Sequence, residues 1–306
     1  MRSAHAHLAG LSLKHLLKGK PRTFELYLTR DSERVPIGFT TVAATRFGRQ
    51  FYDGLLLYPE HQHLWVSAFD TIMRSLPSGE YQYGWQWNLE ASRSPEIQSL
   101  PGVSNLSHQD IWIQGVDFSR WNSWDSYFSD ISENVRRNLR KSEGEHPTVE
   151  VTLKTKLNAL IEIPTLTLMR REMCMRKSIA FNSLRVAAGY LFSTLTCPIQ
   201  SIVVSAKLAG RTLSIQNLTQ FGSTTYFLDG ASHPEAGNIG WYLQMLTIRQ
   251  AYERAPRGKY LVGHTDELQK TSIAKGLLRS RRSIRVSNWP TSQIRFKWTN
   301  PALGVV

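Results

Sequence analysis

The stretch SIVVSAKLAGRTLSIQNLTQFGSTTYFLDGASHPEAGNIGWYLQMLTIRQAYER, residues 201–254, decides how this chain folds. Three of its segments read as strands: SIVVSAKL (201–208), TLSIQNL (212–218) and TTYFLDG (224–230). The short turns AGR and FGS separate them, which predicts a three-stranded antiparallel meander. The loop ASHPEAGN then leads into a helix from about Ile239 to Arg254. Trp241, Met245, Ile248 and Tyr252 share one face of that helix, and Leu243 and Leu246 widen it. A stripe that wide belongs to a helix buried on most sides. GKYLVGH (258–264) reads as the strand that follows.

Working outward, TVEVTL (148–153) alternates as a strand, and two helical segments follow at 156–177 and 183–195. Pro164 lies in the first and is expected to kink or split it. Further upstream, Trp124, Phe128, Ile131, Val135 and Leu139 form one apolar stripe over one or two helices. Ser132 suits the cap of the second, with Glu133 in its first turn favoured by the helix dipole. Downstream, LQKTSIAKGLL (268–278) reads as a short helix, and SIRVSNW and SQIRFKW as two strands.

The first hundred residues read strand, strand, strand, helix, strand: FELYLTR, VPIGFTTVA, RQFYDGLLLY, HLWVSAFDTIMRSL and EYQYGWQWNL. A Ser-, Pro- and Asn-rich connector follows from Ala91 to Ser107, then a short strand QDIWIQGV (109–116). The same order recurs in the second half, where a strand and two helices precede it. The sequences themselves do not match. The chain is therefore expected to be α+β, with two related half-domains, 1–116 truncated and 117–306 complete.

The formal charge of +13 favours anionic partners such as nucleic acid, phosphorylated cofactors, acidic carrier proteins or a membrane surface. Arg249 to Lys297 carries twelve Lys or Arg against Glu253, Asp266 and Glu267. The two cysteines, Cys174 and Cys197, form no CxxC, so neither a disulfide framework nor a zinc site is expected, and a reducing cytoplasm fits best. His5/His7 and His61/His63 lack nearby acidic partners and read as surface histidines, so no metal site is expected. No apolar run approaches the ~20 residues that cross a bilayer; peripheral membrane contact stays open. The N-terminus, MRSAHAHLAGLSLKHLLKGK, is basic and free of acids, and reads as an amphipathic helix ahead of a turn rather than as a transit peptide.

Two features bear on chemistry. Gly237 and Gly240 bracket Asn238 where the buried helix begins. Unpaired N–H groups and the positive dipole end there suit a phosphate, and glycines admit close approach. An ordinary loop with an Asn cap explains the same residues, and Glu235 would repel an anion if it pointed inward. The second feature is SENVRRNLRK (132–141), whose Arg136, Arg137, Arg140 and Lys141 fall off the apolar stripe. A solvated face and a phosphate-binding face both fit. GxxxxGK[ST], HExxH, GxSxG and GxGxxG are all absent.

The order strand, two helices, meander, glycine-containing loop, buried helix, strand resembles the GNAT acyltransferase fold. ENVRRNLRKSE behind an aromatic segment, YFLDGASHPEAGNIGWYLQMLTIRQAYERA and YLVGHTDELQKTSIAKGL are similar to the CelD-like or Fem-like branch, in which two GNAT-like halves stand in tandem. The resemblance covers roughly 120–280 by these segments and the first half by architecture alone. It implies mixed, mostly antiparallel sheets flanked by helices. It implies acyl transfer from a thioester co-substrate, acyl-CoA or acyl carrier protein, to a small-molecule amine or hydroxyl, with no permanently bound cofactor. The donor's pyrophosphate would lie at Gly237, Asn238, Ile239 and Gly240, and its pantetheine beside Phe227, Leu228 and Asp229. Backbone N–H groups there would steady an oxyanion. By position His264, Asp266 and Glu267 are candidates for the base, and Lys270 for binding a phosphate or carboxylate. Each also reads as a loop residue, a cap or a solvated charge. Arg136, Arg137 and Arg140 would bind a donor or acceptor phosphate.

PEAGNIG is poorer in Gly and Arg than the phosphate loops of acetyltransferases, which bears against free acyl-CoA. Similar proteins draw on acyl carrier protein or aminoacyl-tRNA, both polyanions. Three functions follow in order: a thioester-dependent acyltransferase, a Fem-like aminoacyl transferase using tRNA, and a binding protein of the same fold without catalysis.

Overall fold

The structure, a computed structural model, describes residues 22–45, 48–84, 93–145, 148–196, 200–265 and 272–301. The expected N-terminal helix, His5, His7 and Cys197 lie outside the described residues. The strands are β1 Arg22–Arg30, β2 Glu33–Thr45, β3 Gly48–Leu57, β4 Gly79–Tyr83, β5 Val103–Asp117, β6 Glu150–Thr155, β7 Ser201–Leu208, β8 Arg211–Phe221, β9 Thr224–Ser232, β10 Lys259–Thr265 and β11 Ser287–Trp298. The helices are α1 Trp65–Arg74, α2 Ser94–Gln98, α3 Trp124–Asp130, α4 Glu133–Glu145, α5 Ile163–Arg176, α6 Ser183–Thr196, α7 Ile239–Arg254 and α8 Ser272–Ser283. The chain divides into two compact units. The first holds the residues up to Ile113 and again from Trp289, and the second holds Gln114–Gly263 and the chain up to Asn288. The C-terminal strand, read from sequence as part of the second half, thus packs with the first unit.

In the first unit β1, β2 and β3 form an antiparallel meander, β3 runs parallel to β4 across α1, and β11 pairs antiparallel with β4. Asp31 and Ser32 both take positive φ, which makes the two-residue β1–β2 turn of the hairpin-favouring kind. Aromatic side chains fill the core. Phe69 of α1 stacks on Trp65 at 4.8 Å between ring centroids and lies 5.0 Å from Phe51 of β3. Tyr81 stacks on Phe296 at 5.7 Å, so the last strand of the chain completes a core begun by β3. Asn300 Nδ2 donates to Arg74 O and Leu76 O, satisfying carbonyls at the C-terminus of α1.

The second unit is a three-layer sandwich. β6, β7, β8 and β9 are antiparallel neighbours, and β9 runs parallel to β10. On one face α7 buries Ile239, Leu243, Met245 and Ile248 against Val204, Leu213 and Leu218. Ile131, Val135 and Leu139 join that cluster, so the apolar stripe read from sequence is the buried face of α3 and α4. Ser132 Oγ accepts from Val135 N at 3.4 Å and caps α4 as expected. On the other face α5 packs Leu166 and Met169 against Val203, Ile215 and Ala231. Cys174 is buried and free.

The structure corrects three expectations. Pro164 neither kinks nor splits its helix; it stands in the first turn of α5, where its missing N–H costs nothing, and a 3-10 segment Lys156–Glu162 precedes it. SIRVSNW and SQIRFKW do not make two strands, because β11 runs unbroken from Ser287. The expected connector before Ser107 contains α2 and the start of β5. Because Phe69 is fully buried among rings, Phe69→Ala should cost about 3–5 kcal/mol in urea unfolding. Leu28→Ala on exposed β1 should stay within about 0.5 kcal/mol.

Candidate active site

β9 and β10 pair only at Thr224, Tyr226 and the residue between them, opposite Lys259–Leu261. Beyond Tyr226 and Leu261 the register ends. The opposite edge of β9 stays on β8, with a bulge at Leu228 between the pairs Asn217↔Asp229 and Leu218↔Phe227. A parted strand leaves carbonyls without ladder partners, and buried polar groups must be satisfied. Arginines satisfy two of them. Arg176 Nη2 donates to Ser232 O at 2.9 Å, and Arg170 Nη1 reaches Gly230 O at 3.4 Å, both from α5. On the other edge of β10, towards β5, Arg281 of α8 donates through Nη2 to Val262 O at 2.8 Å. Arg281 Nη1 donates to Gln114 Oε1 at 2.7 Å, and burial pulls its guanidinium down to about 10.

A cavity of ≈ 710 Å³ lies along the free part of β9. Phe227, Gly230, Ala231 and Ser232 line it, with Gly237, Gly240, Trp241 and Gln244 from the loop and first turns of α7. Met173, Arg176 and Lys177 of α5 and Leu277 and Ser280 of α8 complete the wall. No side chain caps α7 at Asn238. Gly237 has φ +49, and a Cβ there would meet nothing within 4 Å, so the helix start lies open. Such an N-terminus, with its amide donors and dipole, suits an anionic group.

The floor is polar and uncharged. Gln216 Nε2 donates to Gln244 Oε1 at 3.2 Å, and Gln244 Nε2 donates to Tyr260 Oη at 3.0 Å. Thr247 Oγ1 donates to Gln216 Oε1 at 2.9 Å and lies 3.1 Å from Tyr260 Oη. Burial pushes the Tyr260 phenol up, so it stays protonated. At the rim Arg211 pairs with Glu235 at 2.7 Å and contacts His233 Nε2 at 2.8 Å, while His233 Nδ1 accepts from Glu235 N. Glu235 therefore brings no uncompensated negative charge to the loop.

A scan against protein-family models finds no match, and a search of curated proteins finds none. Solved structures do match. The crystal structure of FemX superposes with TM-score 0.66 over 97% of this chain and 92% of that one, at 12% identity. A protein of unknown function from Bacteroides thetaiotaomicron gives 0.60 over 96% and 90%, at 8% identity. The C-terminal domain of a putative lysylphosphatidylglycerol synthetase from Agrobacterium fabrum gives 0.51 over 90% and 84%, at 9% identity. The chain has a GNAT-like fold.

Within this fold the expected donor residues separate into two groups. Phe227, Gly237 and Gly240 line the cavity; Leu228, Asp229, Asn238 and Ile239 do not. Ile239 is in the core, and Leu228 is the bulged residue. Asp229 turns to α5 and α6: Oδ1 lies 2.9 Å from Arg170 Nε and accepts from Gly230 N, and Oδ2 accepts from the Tyr190 hydroxyl. Burial pushes the Asp229 carboxyl up against the opposing pull of Arg170. His264 is exposed at the end of β10 and is not among the residues lining the cavity. Asp266, Glu267 and Lys270 lie outside the described residues. On α4, Arg136 is half-buried, Arg137 donates to Asn134, Arg140 is exposed, and none lines the cavity.

Sequence reasoning missed Gln216, Gln244, His233, Arg176 and Arg281. One signal was present: Ser214 and Gln216 occupy alternate positions of β8, so both project to the same side of the sheet. Arg281→Met removes a donor from buried Val262 O and Gln114. It should lower stability by about 1–3 kcal/mol in urea unfolding, with a Lys replacement recovering only part.

Proposed function

We propose that this protein transfers an acyl group from a thioester donor, acyl-CoA or acyl carrier protein, to a small-molecule amine or hydroxyl. The observation that carries the reading is the cavity between the free edge of β9 and the uncapped, glycine-flanked start of α7. The donor's phosphates would meet the α7 amides. Its thioester arm would lie along β9 and use main-chain groups of that edge other than those engaged by Arg170, Arg176 and Asp229. The acceptor attacks the thioester carbonyl, and the resulting oxyanion is met by backbone N–H groups of that edge. Collapse expels the donor thiolate and leaves a new amide or ester. The acceptor's proton passes to water or to a base. His264, Asp266 and Glu267 remain the base candidates implied by position, with Lys270 for a phosphate or carboxylate, and His233 joins the former because it lines the cavity.

A second reading, aminoacyl transfer from aminoacyl-tRNA, is favoured by the charge of +13 and by the likeness to FemX. On that reading Arg136 and Arg140, which stand apart from the cavity lining, contact phosphates of a large donor. Without turnover, the same cavity would describe a binding protein.

Thermal unfolding with coenzyme A, a long-chain acyl-CoA and bulk tRNA at low and moderate salt separates these readings, since a ligand of the native state alone raises stability. We expect a shift with acyl-CoA that survives moderate salt and is lost in Gly240→Val, whose side chain would occupy the donor path beside Ser232. A full shift retained in Gly240→Val would refute that placement. A separate test concerns α4. The Arg136→Ala/Arg140→Ala variant should weaken tRNA or acyl carrier protein binding and reduce its salt slope by up to about two, while leaving acyl-CoA binding intact.

A further inference from the structure

Helix α6 carries Leu184, Ala188, Leu191 and Leu195 at i, i+4, i+7 and i+11. In a water-soluble protein such a stripe faces the core. Here it faces outward: Leu184 is 85% exposed, and Leu191 and Leu195 are also exposed. The inner side of the helix mixes apolar and polar groups, with the Tyr190 ring packed on the core beside α5. Thr194 is buried, and the Tyr190 hydroxyl donates to Asp229. The neighbouring segments repeat the pattern. Leu168 and Met175 point outward from α5, and Leu157 and Ile161 from the preceding 3-10 segment. The three segments touch one another, and the field of exposed aliphatic side chains is spread over all of them.

Cations accompany this field. Lys156, Arg171, Arg176, Lys177 and Arg185 are exposed between residues 156 and 195. The only acids there are Glu172 and Glu162, and Glu162 is buried 3.8 Å from Lys207. Self-association through this face would bring the same cations of two copies together, which opposes it. Aliphatic side chains interleaved with Lys and Arg match a bilayer interface, where the apolar groups enter the acyl boundary and the cations meet anionic headgroups. No helix among the described residues is long and apolar enough to cross a membrane, so the contact is one of surface. We propose that the outer face of α5 and α6 docks on an anionic phospholipid bilayer. The inference stands apart from the acyl-transfer reading, because neither the leucines nor Arg171 and Arg185 line the cavity.

The test is flotation of the full chain with phosphatidylcholine vesicles, with and without phosphatidylglycerol. A protein of charge +13 would adhere to anionic vesicles by charge alone, so the deciding variant keeps every charge: Leu184→Ser/Leu191→Ser/Leu195→Ser. These sites are exposed and the variant should fold. The single Leu184→Ser serves as a milder second probe, and circular dichroism with the unfolding midpoint checks both. We expect the wild type to float with phosphatidylglycerol vesicles and the bound fraction to fall roughly tenfold in the triple variant. Arg171→Ser/Arg185→Ser should weaken binding, with the difference from wild type shrinking as salt is added. Three results would overturn the proposal: a wild type that does not float, a triple leucine variant that floats as well as the wild type, or a leucine variant that only converts a dimer to a monomer in light scattering.

Discussion

The parting of β9 from β10 after Tyr226 and Leu261 is the constraint on which the second unit depends. Two parallel strands in the middle of a sheet normally satisfy each other to their ends. Once they part, every unpaired carbonyl in a water-poor interior needs another donor. Arg170 and Arg176 reach in from α5 and donate to Gly230 O and Ser232 O. Arg281 of α8 acts on the other side of β10, where one rigid fork serves both Val262 O and Gln114. The open edge of β9 is thus held by charged hydrogen bonds from one helix.

Other features follow from that opening. The cavity has its volume because Gly230, Gly237 and Gly240 put no side chain into it. Its floor is polar because Gln216, Gln244, Thr247 and Tyr260 satisfy one another within a closed ring. Such a ring excludes stray charge while presenting oriented dipoles, the condition under which a few backbone donors act strongly on a developing oxyanion. The bulge at Leu228 turns Asp229 away from the cavity towards Arg170 and Tyr190. That cluster ties α5 and α6 to β9 by polar contacts. It also engages the inner side of α6, where the Tyr190 ring packs on the core and its hydroxyl reaches Asp229, while the leucines are left outside.

The first unit is held differently. Its core is a cage of rings from β3, α1, β4 and β11, with Phe69 touching several of them. Two of those rings, Phe296 and Trp298, come from the C-terminal strand, so the unit is closed by residues far from it in sequence.

Local periodicity determined a good part of this protein. The meander of β7, β8 and β9, the broad stripe of α7, the face of α3 and α4, and the cap at Ser132 all rest on contacts within a few residues, and each was legible in the sequence. So were Phe227, Gly237 and Gly240 as cavity residues, once the order of elements pointed to the fold. What lies between distant segments was not legible. No spacing rule connects Arg281 to Val262, Gln216 to Gln244, or β11 to β4, because those pairings are chosen by three-dimensional packing and by the need to satisfy orphaned backbone groups. The outward leucines of α6 are the sharpest case. Their spacing predicts a helix and is silent about which side faces the sheet; in the structure the side carrying Tyr190 faces it, with the ring on the core and the hydroxyl on Asp229, and that hydrogen bond offsets part of the cost of burying both groups.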